Sequence, residues 1–110
     1  MNILKSIHDK VQQRKYELSK HAVDQSILRN INIDEIEEAI ENKSEIIENY
    51  RDDKYGSSCL ILGFTKSGRL LHIQCSYPNR PLLKIITLYE PDPDLWINFK
   101  IRSNKRRGII

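Results

Sequence analysis

The sequence feature that most constrains the fold is a series of four β-type segments in the second half of the chain. After Asn42, apolar-rich runs alternate with short turn segments at Gly56, 66–68 and 78–81. This pattern predicts strands over residues 45–50, 57–65, 69–76 and 82–90. Because short connections join antiparallel neighbours, the four segments predict an antiparallel meander.

Helices are predicted before these strands. Apolar residues at helical spacing predict a short amphipathic helix over residues 3–13, which packs either on the body of the domain or on a partner. A short strand is predicted over residues 15–19, and Ser19 is a suitable N-cap for a second helix from residue 20 to about residue 29. The apolar residues that this second helix offers to the core are Ala22, Val23, Ile27 and Leu28.

The third predicted helix has the clearest amphipathic pattern in the chain. It begins near residue 33, with Asn32 or Asp34 as its N-cap. Its spacing places Ile33, Ile36 and Ile40 on the inward face and its acidic side chains on the outward face.

The segment after the last strand is predicted to return to the core. Pro91 and Pro93 end that strand, and residues 94–99 are predicted to form a helical turn that buries Trp96 and Phe99. The complete order of elements predicts an α+β domain with its helices grouped on a sheet.

Length and composition exclude several classes of protein. With 110 residues, the chain has the size of a single domain over 1–110, with a helical extension over 1–14. No apolar run approaches the roughly 20 residues that cross a bilayer, and the N-terminal segment lacks a signal-peptide core, so we expect a cytoplasmic protein with no membrane partner. Cys59 and Cys75 are in no CxxC motif, which argues against a zinc site or a disulfide scaffold.

The net charge of +3 is unevenly distributed. Residues 1–31 carry a net charge of +3, residues 32–53 carry −7 and residues 54–110 carry +7. Residues 100–110 are predicted to form a basic C-terminal tail. A basic surface can bind a nucleic-acid backbone by releasing counterions, but a solvated, frayed terminus explains the tail equally well.

The turn over residues 66–68 also predicts which residues face each other in the sheet. With 66–67 at the apex of a hairpin, Cys59 lies opposite Cys75 and Leu62 lies opposite His72.

The loop over residues 78–81 predicts a second set of pairs. If that loop joins neighbouring strands, Gln74 lies opposite Lys84 and His72 lies opposite Ile86. His72, Gln74 and Lys84 then share one face of the sheet, which depends on this turn assignment because a slip of one residue reverses the face.

Few residues are candidates for chemistry, because the sequence has no P-loop, GxGxxG, HExxH or GxSxG motif and no His pair at metal-ligand spacing. No metal and no cofactor is therefore expected.

His21 lies at the start of the second helix, where it is a candidate acid, base, phosphate ligand or structural cap. His72 interrupts an apolar strand, where a buried histidine with satisfied hydrogen bonds is the default. Lys84 lies in an apolar run, so it either reaches solvent or lines a site. Residues compatible with phosphate binding or with a surface role are Arg29, Arg69, Arg80 and Tyr89.

Several motifs occur together over residues 16–97. The second helix opens with S-x-H-A and ends at Arg29, the third helix reads I-x-I-D-E-I-E-E-A-I, and E-I-I-E-N-Y enters the sheet. L-L-H-I contains His72, and I-I-T-L-Y-E-P-D-P-D-L-W runs from Ile85 to Trp96. This set resembles a bacterial toxin-like domain family of unknown function, related to the RelE/ParE-like type II toxins. The chain departs from that family at Gln25, where a further basic residue is common.

The resemblance implies a RelE-like fold with two core helices packed on a twisted, mainly antiparallel sheet of four to five strands, plus an extra short N-terminal helix. It also implies a toxin–antitoxin system, with a cognate antitoxin as partner and a homodimer left open. Relatives in the wider superfamily cleave mRNA without metal, commonly on the ribosome. In such a reaction, basic residues stabilise the scissile phosphate while a base activates the ribose 2′-hydroxyl. Other relatives inhibit DNA gyrase.

Three functions are therefore open. The leading hypothesis is a metal-independent endoribonuclease toxin that acts on mRNA, with His21, His72 and Lys84 as catalytic candidates. The substrate-binding candidates are Arg29, Arg69, Gln74 and Tyr89. The alternatives are a non-enzymatic inhibitor of a protein target such as gyrase, and an inactive binding module. For either toxin, an acidic or amphipathic antitoxin segment is expected to cover the basic surface.

Overall fold

The computed structural model describes residues 2–51 and 56–103. The helices are α1 (Ile3–Gln12), α2 (Lys20–Leu28) and α3 (Ile33–Glu41). The strands are β1 (Tyr16–Leu18), β2 (Ser44–Tyr50), β3 (Ser58–Phe64), β4 (Leu70–Ser76), β5 (Leu83–Tyr89), β6 (Trp96–Ile97) and β7 (Ile101–Arg102). The predicted α+β class is confirmed, as is the order of elements through β5. Among the residues described, no helix is long and apolar enough to cross a membrane.

The main sheet has five strands in the order β1-β5-β4-β3-β2. The strands β2 to β5 form the predicted antiparallel meander. The short strand β1 joins the meander at its far edge and runs parallel to β5, so that the sheet is mixed. This arrangement is possible because α2, α3 and three strands lie between β1 and β5 in the chain, which gives the long connection that parallel pairing requires.

Local capping signals begin the helices where the sequence predicts. The side chain of Ser19 accepts a hydrogen bond from the backbone N–H of Ala22 at the start of α2. Asn32, rather than Asp34, caps α3 and forms a capping box with Glu35. These caps satisfy N–H groups that have no partner inside the helix.

The helices cover one face of the sheet, where most of the core lies. Ile7 and Val11 of α1 and Ile36 and Ile40 of α3 are fully or almost fully buried, so α1 packs on the body of the domain. The backbones of α3 and β3 approach closely, since a Cβ atom placed on Gly63 would lie 1.9 Å from the carbonyl oxygen of Ala39.

The second helix buries less apolar surface than predicted. Ala22 is completely buried, but Val23, Ile27 and Leu28 are 40%, 74% and 76% exposed, and Ile33 at the start of α3 is 47% exposed. The prediction is wrong for the three side chains of α2 because this helix lies over β5 and β1 near the edge of the sheet, where only a narrow face of it meets the core. It is also wrong for Ile33, which lies in the first turn of α3.

The register predicted for the β3–β4 hairpin is confirmed. Cys59 lies opposite Cys75, and Leu62 lies opposite His72. The short turn over residues 65–68 determines this register because it leaves no room for a slip.

The register predicted for the next pair of strands is wrong. The observed pairs are His72 with Tyr89 and Gln74 with Thr87, in place of the predicted pairs with Ile86 and Lys84. The loop before β5 is longer than predicted, and the register shifts again between Gln74 and Cys75. A bulge of this kind adds a residue to one strand and changes the direction of neighbouring side chains.

The segment after β5 forms a hairpin instead of the predicted helical turn. Strands β6 and β7 pair antiparallel, and the turn between them holds Asn98 and Phe99 at φ values of 52° and 62°. Consecutive positive φ values are typical of a type I′ hairpin turn, which a helix cannot accommodate. Trp96 is nevertheless buried, as predicted, with 6% of its surface exposed.

The hairpin includes residues that the sequence analysis assigns to the basic tail. Lys100 pairs with Glu45 at 2.8 Å, and Arg102 pairs with Glu48 at 2.9 Å. These ion pairs attach the hairpin to β2, on the face of the sheet that the helices leave open. Residues 104–110 of the predicted tail lie outside the described residues.

Candidate functional site

A cleft of about 550 Å³ lies between the C-terminus of α2, the end of β5 and the β6–β7 hairpin. We call it the Tyr89 cleft. Two cations, two carboxylates, a phenol and an indole are among the groups that line it. The lining residues are Arg29, Tyr89, Glu90, Asp92, Leu95, Trp96, Arg102 and Ser103.

His72 lies directly behind Tyr89 and is completely buried. Its Nε2 atom is 2.6 Å from the backbone carbonyl of Phe99, and its Nδ1 atom is 3.2 Å from the Tyr89 hydroxyl. Since a carbonyl can only accept, Nε2 carries the proton and donates it to Phe99. In neutral His72, Nδ1 therefore accepts the hydrogen bond of Tyr89. The ring also makes an edge contact with Trp96, with 4.5 Å between the ring centroids.

Burial sets the protonation states of this pair. Desolvation lowers the pKa of His72, which keeps the imidazole neutral at neutral pH, and desolvation raises the pKa of the Tyr89 phenol. The phenolic proton of Tyr89 is thus shared in a hydrogen bond with the unprotonated Nδ1 atom of His72. When Tyr89 accepts a proton from a bound group, it can pass its own phenolic proton to Nδ1 of His72.

His72 also makes the stability of the fold depend on pH. Its folded pKa is lowered, whereas the unfolded chain retains a value of about 6.5, so the unfolded chain binds more protons below that pH. We expect the free energy of unfolding in urea to fall between about pH 7.5 and pH 5.5, and to fall less in His72→Gln. His21→Gln, which alters an exposed histidine, is the control. An equal pH dependence in wild type and His72→Gln would contradict this assignment.

Arg29 supplies a cation at the rim of the Tyr89 cleft. Its side chain is exposed at the C-cap of α2, and its Nε donates to the side-chain oxygen of Gln25 at 2.6 Å. Because the amide of Gln25 is neutral, this contact orients the guanidinium without cancelling its charge.

The side chain of Arg69 lies next to the cleft, where it holds neighbouring backbone and carboxylate groups in place. Its guanidinium donates to the carbonyls of Arg29 and Asn30 at 2.8 Å each, and it pairs with Glu35 and Glu90 at 3.2 and 3.1 Å. The first two bonds satisfy carbonyls at the end of α2, where a cation is favourable. The hydrogen bond from Arg69 also lowers the pKa of Glu90. Arg69 thus positions the segment that carries Arg29.

Arg102 and Trp96 form the opposite wall of the cleft. The guanidinium of Arg102 lies 4.8 Å from the centre of the Trp96 ring and donates two hydrogen bonds to Glu48. Partial burial opposes ionisation of Glu48, but hydrogen bonds from Arg102 and Tyr50 outweigh it and lower the pKa of this carboxyl. The pairing with Glu48 holds Arg102 in place over the indole.

Lys84 and Gln74 line a different pocket, so the structure divides the predicted site. Gln74 and Lys84 lie on the same face of the sheet, as predicted, and line a pocket of about 340 Å³ on the side opposite the helices. Tyr89, however, separates His72 from the Tyr89 cleft, and neither Gln74 nor Lys84 lines that cleft. Lys84 instead pairs with Glu17 at 3.5 Å.

His21 lies apart from both groups. It is exposed in the first turn of α2, and it lines neither the Tyr89 cleft nor the pocket at Lys84. The structure therefore brings together Arg29, Tyr89 and His72, places Arg69 beside them, and leaves Lys84, Gln74 and His21 elsewhere. Within residues 2–51 and 56–103, no cluster of three or more His, Cys, Asp or Glu side chains is arranged to hold a metal ion.

Six of the eight described lining residues of the cleft are absent from the predicted site, among them Trp96 and Arg102. Trp96 is predicted only as a core residue, and Arg102 only as part of the tail. A signal for Trp96 lies in the sequence, because the E-P-D-P-D-L-W segment follows Tyr89 and ends that strand close to the cleft. The pairing of Trp96 with Arg102 across a hairpin is a tertiary feature without a local signal.

Comparison with protein families gives one match. A family model described as "Domain of unknown function (DUF4258)" matches residues 18–90. The matched segment contains Arg29, His72, Tyr89 and Glu90 but ends before Trp96 and Arg102. Comparison with curated proteins and with solved structures gives no match.

Proposed function

We propose that this chain, which belongs to the family of the domain of unknown function DUF4258, is a metal-independent endoribonuclease that cleaves single-stranded RNA in the Tyr89 cleft. The observation that carries the proposal is the pair formed by Tyr89 and the buried neutral His72, which opens onto a cleft with an arginine on either side. This arrangement supplies a route for one proton and cations for one phosphate.

The proposed reaction uses the 2′-hydroxyl of the RNA as its nucleophile. The 2′-oxygen attacks the adjacent phosphorus while its proton passes to the Tyr89 oxygen, and the phenolic proton passes to Nδ1 of His72. The bond from phosphorus to the 5′-oxygen breaks, and the departing oxygen takes a proton from water. The products are a 2′,3′-cyclic phosphate and a 5′-hydroxyl. His72 then returns its proton through Tyr89 to solvent.

The remaining groups of the cleft have supporting roles in this proposal. Arg29 stabilises the negative charge that develops on the phosphate, since its charge is not cancelled by its contact with Gln25. Trp96, which is only 6% exposed, backs the cleft and holds the guanidinium of Arg102 against its ring. Arg102 contributes positive charge to the cleft, although Glu48 partly neutralises it.

We further propose the biological setting that the resemblance to RelE/ParE-like toxins implies. The chain is the toxin of a type II toxin–antitoxin pair, it degrades mRNA free or on the ribosome, and a cognate antitoxin masks the cleft. In this proposal no metal ion is needed, because side chains alone carry the proton and bind the phosphate.

Expression in a bacterial host tests the proposal. Induction of the wild type is expected to stop growth and fragment total mRNA. Arg29→Ala is expected to reduce cleavage by about tenfold to a hundredfold, because one charge on the phosphate is lost. Arg51→Ala removes an exposed arginine outside the cleft and is expected to behave as the wild type. Normal mRNA in growth-arrested cells would contradict the proposal.

A second candidate function is the inhibition of a protein target such as gyrase. The observation that favours it is the exposed apolar surface of α2, where Val23, Ile27 and Leu28 lie together. Contiguous exposed apolar side chains are typical of protein-binding surfaces. Growth arrest with intact mRNA, relieved by Ile27→Asp and not by Arg29→Ala, would select this function.

A further inference from the structure

The pocket at Lys84 is a second concave site on the open face of the sheet. We call it the Lys84 pocket. It has a volume of about 340 Å³, and it lies between the end of β4, the start of β5 and the residues Gly56 and Ser57. Its polar lining residues are Ser57, Gln74, Ser76, Arg80 and Lys84.

Two cations are oriented in this pocket by the backbone. The guanidinium of Arg80 lies against Gly56, where a Cβ atom would come within 2.8 Å of Nη2, and Gly56 has a φ of 109° that favours glycine. Lys84 is placed by the shifted register of β5, and its backbone N–H donates to the hydroxyl of Ser76 at 3.0 Å.

The chemistry of the Lys84 pocket fits a phosphate group. Ammonium and guanidinium groups are the usual ligands of phosphate oxygens, and hydroxyl and amide N–H groups add hydrogen bonds. Among the described residues, Glu17 pairs with Lys84 at 3.5 Å, with both side chains nearly half exposed. An exposed ion pair of this kind contributes little energy, so a phosphate can displace the carboxylate.

The outward-facing residues of β5 connect the Lys84 pocket with the Tyr89 cleft. Tyr89, Thr87 and Lys84 are all partly exposed along this strand. Five residues of strand span about 16 Å, which corresponds to about five stacked nucleotides at ~3.4 Å each. One RNA strand that enters the cleft is therefore long enough to place a second phosphate in the Lys84 pocket.

We propose that the Lys84 pocket is a second phosphate-binding subsite, which holds a backbone phosphate of the RNA strand that is cleaved in the Tyr89 cleft. The proposal rests on the proposed function for the identity of the ligand. It assigns Lys84 to substrate binding instead of catalysis.

Binding of a decanucleotide of 2′-O-methyl RNA tests this subsite, because the blocked 2′-hydroxyl prevents cleavage. We expect Lys84→Gln to weaken binding about tenfold at low salt and to reduce the slope of log affinity against log salt by about one. Glu17→Gln is expected to strengthen binding, because the competing carboxylate is gone. Lys5→Gln, which alters a comparable exposed ion pair on α1, is expected to bind as the wild type.

The outcomes separate the subsite from the proposed function. If the wild type cleaves RNA but Lys84→Gln binds the decanucleotide with unchanged affinity and salt slope, the subsite is overturned and the endoribonuclease stands. If Lys84→Gln weakens binding while no RNA is cleaved, the subsite stands and the endoribonuclease is overturned. If the wild type does not bind the decanucleotide, the subsite is overturned, and cleavage with and without ribosomes decides the endoribonuclease separately.

Discussion

Replacing Tyr89 with phenylalanine is expected to reduce the rate of RNA cleavage by about 10²- to 10³-fold, because the proton of the 2′-hydroxyl then has no path to His72. The substitution removes one oxygen atom, and it keeps the ring that packs on His72 with 5.3 Å between the centroids. The measurement is single-turnover cleavage of a labelled RNA by the purified variant. We expect the affinity for uncleaved RNA to change much less than the rate.

A second tyrosine provides the control for this substitution. Tyr77 lies just after β4, and its hydroxyl donates to the side chain of Asn49 at 2.8 Å, outside the cleft. Tyr77→Phe removes the same atom and is expected to cleave at the wild-type rate. If Tyr89→Phe and Tyr77→Phe cleave equally fast, the phenol of Tyr89 carries no proton in the reaction and the assigned mechanism is wrong.

The largest expected effect on stability is that of Gly63→Ala. Its Cβ would lie 1.9 Å from the carbonyl oxygen and 2.7 Å from the carbonyl carbon of Ala39, which belong to the backbone of α3 and cannot rotate away. The helix must therefore move off β3. We expect a loss of about 3 to 5 kcal/mol in the free energy of unfolding, a large part of the roughly 5 to 15 kcal/mol of a typical domain.

Gly68→Ala separates crowding from the general effect of losing a glycine. Gly68 has a φ of 89° in the β3–β4 turn, and a Cβ there would have no neighbour within 4 Å. We expect this variant to lose only about 1 kcal/mol, which is the conformational cost of an alanine at positive φ. Urea unfolding of both variants measures the difference. A Gly63→Ala protein as stable as Gly68→Ala would show that α3 does not pack against β3 as described.

Local features of the fold are predictable from the sequence because their causes are local. Ser19 and Asn32 carry the side chains that cap helices, and the short turn at 66–68 determines that Cys59 faces Cys75. The Lys84 register is not predictable in this way, because it depends on a longer loop and on a bulge that no nearby residue type signals. The exposure of Ile27 depends on where α2 meets the sheet edge, which is also a tertiary property.

The candidate site shows the same division. His72, Tyr89 and Arg29 can each be identified from the sequence as candidate polar residues. That they lie together depends on the register of β4 and β5 and on the position of α2, which the sequence does not indicate. The capping of α2 by Arg69 joins residues 40 positions apart, so that no spacing rule indicates it. The helix predicted over residues 94–99 misses the hairpin that places Trp96 at the cleft. The two positive φ values in its turn are a property of the folded hairpin and have no signal in the sequence.

The most direct test of the proposed endoribonuclease is the chemistry of the RNA ends. Purified protein is incubated with a defined single-stranded RNA, with and without ribosomes, and the ends of the fragments are analysed. The reaction without ribosomes is repeated in EDTA, because EDTA also dissociates ribosomes. We expect fragments with a 2′,3′-cyclic phosphate and a 5′-hydroxyl, formed equally well in EDTA when ribosomes are absent. RNA that stays intact under all these conditions, or cleavage that EDTA abolishes, would contradict the proposal.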